Sequence, residues 1–124
     1  MNKKYYITTP IYYPSAKPHM GHAYSSIVSD VLARFKRLDG FDVEFLTGTD
    51  EHGLKIQRAA EEKGIEPKKF CDDISKTFRN LSKTLNLSNT DFIRTTEDRH
   101  IKSVQNLWKI LEDKNQIYLS KYSG

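Results

Sequence analysis

Apolar and polar positions alternate in two rhythms along the chain, and their order predicts the fold class. Residues 5–9, Tyr-Tyr-Ile-Thr-Thr, have strand character. Ile27, Val28, Val31, Leu32, Phe35 and Leu38 then recur at helical spacing, which predicts a helix from near Ala23 to a left-handed cap at Gly40. A second strand is expected over 41–47, where Val43, Phe45 and Leu46 cluster, followed by a polar turn over 48–53 that opens a second helix through Ile56 and Ala60 to Gly64. Pro67 starts a third helix with apolar positions Phe70, Cys71, Ile74, Phe78, Leu81 and Leu85, and with Lys68, Lys69, Lys76, Arg79 and Lys83 on a solvated face. Residues 91–94 read as a short third strand. Thr95-Thr96-Glu97-Asp98 looks like the capped start of a fourth helix, whose stripe of Ile101, Val104, Leu107, Trp108 and Leu111 is expected in the core. Strand character returns over 117–122. Strands separated by helices imply an α/β fold with a parallel sheet and crossover connections.

In such a sheet, ligands lie at the carboxyl ends of the strands, where both polar turns fall. The first turn holds Pro18-His19-Met20-Gly21-His22 at the entrance to a helix. Free N–H groups and the positive end of the helix dipole attract phosphate there, and a glycine lets a flat ring approach the backbone. Two histidines three residues apart also suit simple helix capping, so the pattern alone leaves both roles open. The second turn brings Asp50 and His52, expected in one crevice with His19, Gly21 and His22. At that place Asp50 suits a substrate ammonium, a Mg2+ ion or the cap of the following helix. Tyr12 and Tyr13 either pack at a strand end or wall a pocket. Neutral or partly protonated histidines on a nucleoside triphosphate would stabilise charge building on the α-phosphate as pyrophosphate leaves, with no covalent nucleophile.

Composition narrows this further. At 124 residues the chain fits one domain or part of one and is short for a complete two-substrate enzyme. Twenty Lys and Arg against sixteen Asp and Glu give +4, compatible with a nucleotide- or RNA-handling surface. The single cysteine, Cys71, excludes an internal disulfide and a Cys-rich zinc knuckle in this stretch, and its apolar neighbours make it a buried small side chain. No signal-peptide pattern and no run near the roughly 20 apolar residues of a membrane span occurs, so the chain is read as cytoplasmic with no membrane partner. Without repeats, linkers or low-complexity stretches, residues 1–124 are expected to form one unit with no internal boundary.

Thr8-Thr9-Pro10-Ile11-Tyr12-Tyr13-Pro14, the variant Pro18-His19-Met20-Gly21-His22 of the class I HIGH motif, and Phe45-Leu46-Thr47-Gly48-Thr49-Asp50-Glu51-His52-Gly53 together resemble the amino-terminal part of the methionyl-tRNA synthetase family. Asp91-Phe92-Ile93-Arg94-Thr95-Thr96 is similar to it too, so the resemblance covers essentially the whole chain. It implies the first part of a doubly wound, Rossmann-like catalytic domain. It further implies ATP-dependent activation of methionine to methionyl-adenylate, with Mg2+ entering as the ATP complex, and transfer to the 3′ adenosine of tRNA(Met). On this resemblance His19 and His22 contact the triphosphate and its transition state, Gly21 underlies adenine, Asp50 binds the methionine ammonium, and Ile11 and Tyr13 help form the amino-acid pocket. Met20 replaces the commoner Ile or Leu, and its side chain is expected to point to the core. The family's second nucleotide-binding signature, most of its methionine pocket, the connective insertion with any zinc, and the anticodon-binding helices fall outside residues 1–124. The chain is therefore expected to carry half an active site, to need the remainder of its own catalytic domain, and to be inactive alone. The other readings are a small nucleotidylyltransferase and a non-catalytic ATP- or RNA-binding module.

Overall fold

The computed structural model describes residues 3–122. The elements are β1 (Lys4–Thr8), α1 (Met20–Leu38), β2 (Asp42–Thr49), α2 (Leu54–Glu62), α3 (Pro67–Thr84), β3 (Asp91–Arg94) and α4 (Asp98–Asp113). The strands form one sheet in the order β1-β2-β3, with both pairs parallel. The α/β alternation expected from the sequence is what is found. Each parallel step needs a crossover, supplied by α1 and then by α2 with α3.

Register assigns the faces. Tyr5 pairs with Val43, Ile7 with Phe45 and Thr47 with Phe92, so these six side chains share one side of the sheet. Val43 and Phe45 pack with Ala33 of α1, and Tyr5, Ile7 and Phe41 close in around them. Phe92 joins Tyr12, Ile56, Ala60, Phe70, Cys71, Ile74 and Phe78, uniting α2 and α3 over the other end of that face. Cys71 is thus a core side chain, as expected, and burial pushes its thiol pKa up to about 11. Tyr6, Thr8 and Glu44 on the reverse face are exposed. All the packing helices lie on one side, the arrangement of one half of a doubly wound sheet.

The structure corrects several expectations. α1 begins at Met20, so the histidine turn is its first turn and not a preceding loop. Its sheet-facing residues are Ala23, Ser26, Ser29, Asp30 and Ala33, which are small or polar, while Tyr24, Ile27, Val28, Val31, Leu32, Phe35 and Leu38 point outward. Met20 lies on that outward stripe and is 83% exposed, not turned to the core. The small face brings the helix axis close to the sheet, whereas the large apolar residues meet no described partner. α4 contains no buried residue, so the stripe of Ile101, Val104, Leu107 and Trp108 is not core among the described residues. The N-cap of α4 is Glu97, which makes no capping side-chain bond, its carboxylate being taken by Arg99 and Arg79, while the Thr95 hydroxyl accepts the Glu51 N–H and the Thr96 hydroxyl donates to the Glu51 carboxylate. Residues 117–122 form no strand, having no neighbouring strand to pair with among the described residues. No described helix is long and apolar enough to cross a membrane.

Candidate active site

The first turn of α1 is closed by a reciprocal pair of imidazoles. His19, at the N-cap, accepts the Gly21 N–H on Nδ1 at 3.0 Å, and His22 Nδ1 accepts the His19 N–H at 3.0 Å. Two of the orphan donors of the helix start are satisfied by histidines in place of the usual Ser and Glu. With Nδ1 an acceptor on both rings, the neutral form of each carries its proton on Nε2. Among the described residues nothing occupies either Nε2, so two N–H donors remain available. The rings lie 3.9 Å apart, and a Cβ on Gly21 would stand 2.9 Å from His19 Cε1. Gly21 is thus what lets His19 fold back over the helix start. Burial, then the neighbouring His19, lower the His22 pKa below its ordinary 6.5, so His22 is neutral at pH 7.

His19 and His22 line a cavity of about 280 Å3 together with Ile11 and Tyr13, so four of the expected site residues meet. Lys17 and Lys55 line it as well, and Lys55 Nζ sits 5.7 Å from the centre of the Tyr13 ring. Neither lysine was expected from the sequence; both are surface cations whose meeting depends on the loop over residues 9–19 folding back on α2. Gly21 lies beside the cavity on the exposed side of the turn. Asp50 stands half-buried just past the end of β2, adjoining Tyr12, whose carbonyl accepts the Asp50 N–H at 2.9 Å. Its carboxylate accepts no hydrogen bond among the described residues, and the N-cap of α2 is Gly53. The helix-capping alternative for Asp50 is therefore not realised.

His52 is the residue that departs from the expected crevice. Its Nε2–H donates to the Thr95 carbonyl at 3.3 Å, and it faces a separate hollow with Glu51, Gly53 and Leu54. Asp50 and His52 flank Glu51 in the β2–α2 turn, and Asp50 lines neither hollow. Between them Glu51 is turned inward, 4% exposed. It accepts from Thr49 Oγ1 at 2.7 Å, from Arg94 Nε and Nη2 at 2.7 and 3.0 Å, and from Thr96 Oγ1 at 2.5 Å. Burial opposes ionisation there, but the Arg94, Thr96 and Thr49 bonds outweigh it and hold the carboxyl below its ordinary 4.5. Arg94 also reaches Asp72 at 2.6 Å, tying the ends of β2 and β3 to α3. The charge at the end of the apolar run Phe92-Ile93-Arg94 was the available signal for this anchor. No group of three or more His, Cys, Asp or Glu among the described residues is placed to hold a metal ion.

Residues 5–124 match the family model described as tRNA synthetases class I (M). The chain belongs to this class I family. Methionine–tRNA ligase of Rickettsia conorii is 58% identical over 124 residues, covering all of this chain and 24% of that protein. The mitochondrial methionine–tRNA ligase of Takifugu rubripes is 54% identical over 123 residues, covering 99% of this chain and 21% of its own length. The family fold is also seen in the Mycobacterium tuberculosis methionyl-tRNA synthetase in complex with methionyl-adenylate, with a TM-score of 0.94, 48% identity, and coverage of 98% of this chain and 24% of that one. A leucyl enzyme of Agrobacterium radiobacter, solved with tRNA and an adenylate analogue, aligns with a TM-score of 0.80 at 28% identity over 94% of this chain and 15% of that one. This chain spans about a quarter of the length of the curated relatives it matches.

Proposed function

We propose that this segment supplies the first half of the catalytic domain of a cytoplasmic methionine–tRNA ligase, which activates methionine with MgATP to methionyl-adenylate and passes it to tRNA(Met). The observation that supports this most is the pair of imidazoles at the α1 N-terminus, each with Nδ1 occupied by a backbone N–H so that Nε2 is the nitrogen left to donate, His22 being held neutral by its burial. Two N–H donors fixed beside a helix start stabilise oxygens whose negative charge grows as the α-phosphate is attacked by the methionine carboxylate and pyrophosphate departs. Their fixed tautomer means that no reorganisation is needed at that moment. His19 and His22 are the catalytic donors of this reading, and Gly21 offers bare backbone beneath the adenine. Asp50, a carboxylate without a protein partner, takes the methionine ammonium, and Ile11 and Tyr13 form the near wall of the amino-acid pocket. The metal comes with the nucleotide as its Mg2+ complex and needs no ligand set of its own in this segment.

The test is methionine-dependent exchange of pyrophosphate into ATP by the full-length protein that contains this segment. Exchange that requires methionine and is lost in a His19→Ala/His22→Ala double variant supports the assignment. Exchange indifferent to methionine, or nucleotide binding without exchange, would replace the ligase with a nucleotidylyltransferase or a binding module.

A further inference from the structure

We propose that Tyr12 is a positioning residue that holds the Asp50 turn and the His22 turn in one register, so that the amino acid and the nucleotide bind cooperatively. The inference rests on the ligase reading above. Tyr12 is 7% exposed and lies in no strand or helix, yet it is bonded on all sides. Its N–H donates to the Gly48 carbonyl at 2.9 Å and its carbonyl accepts the Asp50 N–H at 2.9 Å, forming an isolated parallel bridge with Thr49. The backbone of Tyr12 thus brackets Thr49 and holds the N–H of Asp50, the residue proposed to bind the ammonium.

The side chain points the other way. Its hydroxyl lies 3.0 Å from Ser26 Oγ and donates to the His22 carbonyl at 3.3 Å, which are successive turns of α1. Its ring is stacked 5.7 Å from Phe78 and meets the His22 ring edge-on at 4.8 Å. Phe78 in turn packs edge-on to His22 at 5.1 Å, so the three rings form one closed contact. A shift of the Asp50 turn along β2 carries Tyr12 with it, and Tyr12 cannot move without moving His22 or breaking its hydroxyl bonds. Such a chain of packed and hydrogen-bonded groups couples two ligands only if each biases the same element, and Tyr12 is shared by both turns. The Ser26 hydroxyl has no other hydrogen-bond partner among the described residues, so it reports on the same link.

The experiment uses the full-length protein. The dissociation constant of methionine is measured by calorimetry with and without saturating α,β-methylene-ATP, which binds without reacting. The wild-type protein is expected to bind methionine more tightly in the presence of the analogue. Tyr12→Phe keeps the ring packing and loses the hydroxyl, and should shrink that coupling ratio roughly fivefold, the worth of one net hydrogen bond, while the affinity of each ligand alone changes little. A merely structural tyrosine would lower the melting temperature and leave the ratio alone. Ser26→Ala, which removes one of the hydroxyl's two partners and leaves Tyr12 intact, should move the ratio in the same direction and decides the matter if the tyrosine variant does not fold. Coupling absent from the wild type, or unchanged in the folded variants, overturns the inference. If both ligands bind and exchange proceeds while coupling survives, only the role of Tyr12 falls. If methionine and the analogue both fail to bind the wild type, the ligase reading falls and this inference with it.

Discussion

Replacing Arg94 by methionine tests whether the Glu51 anchor stabilises the second turn. Methionine preserves most of the arginine stem and removes its donors, leaving the Glu51 carboxylate, whose side chain is wholly buried, with only the Thr49 and Thr96 hydroxyls. Removing one partner of a buried ion pair costs about 3–5 kcal/mol, because the remaining charge keeps its desolvation penalty. The Asp72 contact adds little, since that carboxylate is 36% exposed and its attraction is screened. A loss of this size is a large fraction of the roughly 5–15 kcal/mol that holds an ordinary domain together. Hydrogen exchange of the β2 and β3 amides in the full-length protein, followed over a urea series, reads the local unfolding free energy directly. The double variant Glu51→Leu/Arg94→Met should recover much of the loss, as apolar replacement of a buried pair is often neutral. A single variant that loses less than about 1 kcal/mol, the scale of a surface ion pair, would show that the pair is no anchor.

Three further outcomes are expected. The 124-residue chain alone should give no methionine-dependent pyrophosphate exchange, since its curated relatives are about four times as long and half of the proposed site lies elsewhere; exchange above trace by the isolated chain would overturn this. In the full-length protein His22→Ala should lower the single-turnover rate of adenylate formation by roughly 10² to 10³ with little change in ATP affinity, because the contact strengthens in the transition state. His22, with its folded pKa below 6.5, stays neutral where the unfolded chain takes up a proton, so its contribution to stability is full above pH 6.5 and is lost as pH falls from there to its folded pKa. Urea unfolding between pH 7.5 and 5.5 should therefore show a steeper decline for the wild type than for His22→Gln.

The parallel sheet, the core face of α3 and the histidine turn were legible because each rests on local pattern. Phe70, Cys71, Ile74 and Phe78 repeat at helical spacing and are all buried. The same rule misled at α1 and α4, because periodicity reveals an apolar stripe but not which surface covers it. In α1 the sheet took the small residues Ala23, Ser26 and Ala33, and the larger stripe was left outward. His52 was misplaced for a related reason: the direction of a side chain in a turn depends on backbone reversal, which a motif does not state. The Glu51–Arg94 pair joins residues 43 apart, and the link between Tyr12 and Ser26 joins residues 14 apart. Neither separation matches a helix or hairpin contact, so although the charge of Arg94 at the end of its apolar run marks one end of an anchor, nothing local names either partner.

The charge distribution of the site follows from where each group sits. On the proposed ligase reading a triphosphate brings several negative charges to the α1 start, yet His22, the imidazole packed there, is uncharged. A fixed cation packed between Tyr12 and Phe78 would bear a desolvation cost in every state of the protein, as the lowered His22 pKa indicates. A neutral ring donates its Nε2–H without that cost and gains strength as charge develops on the phosphate. The positive charges, Lys17 and Lys55, stand on exposed stems at the cavity wall, where water solvates them until an anion arrives. Asp50 stands at a different turn, joined to the His22 turn through Tyr12. The imidazoles and the two lysines thus share one cavity while the carboxylate stands at the other turn, so on the proposed ligase reading a ligand carrying both an ammonium and a phosphate would meet each sign at a separate place.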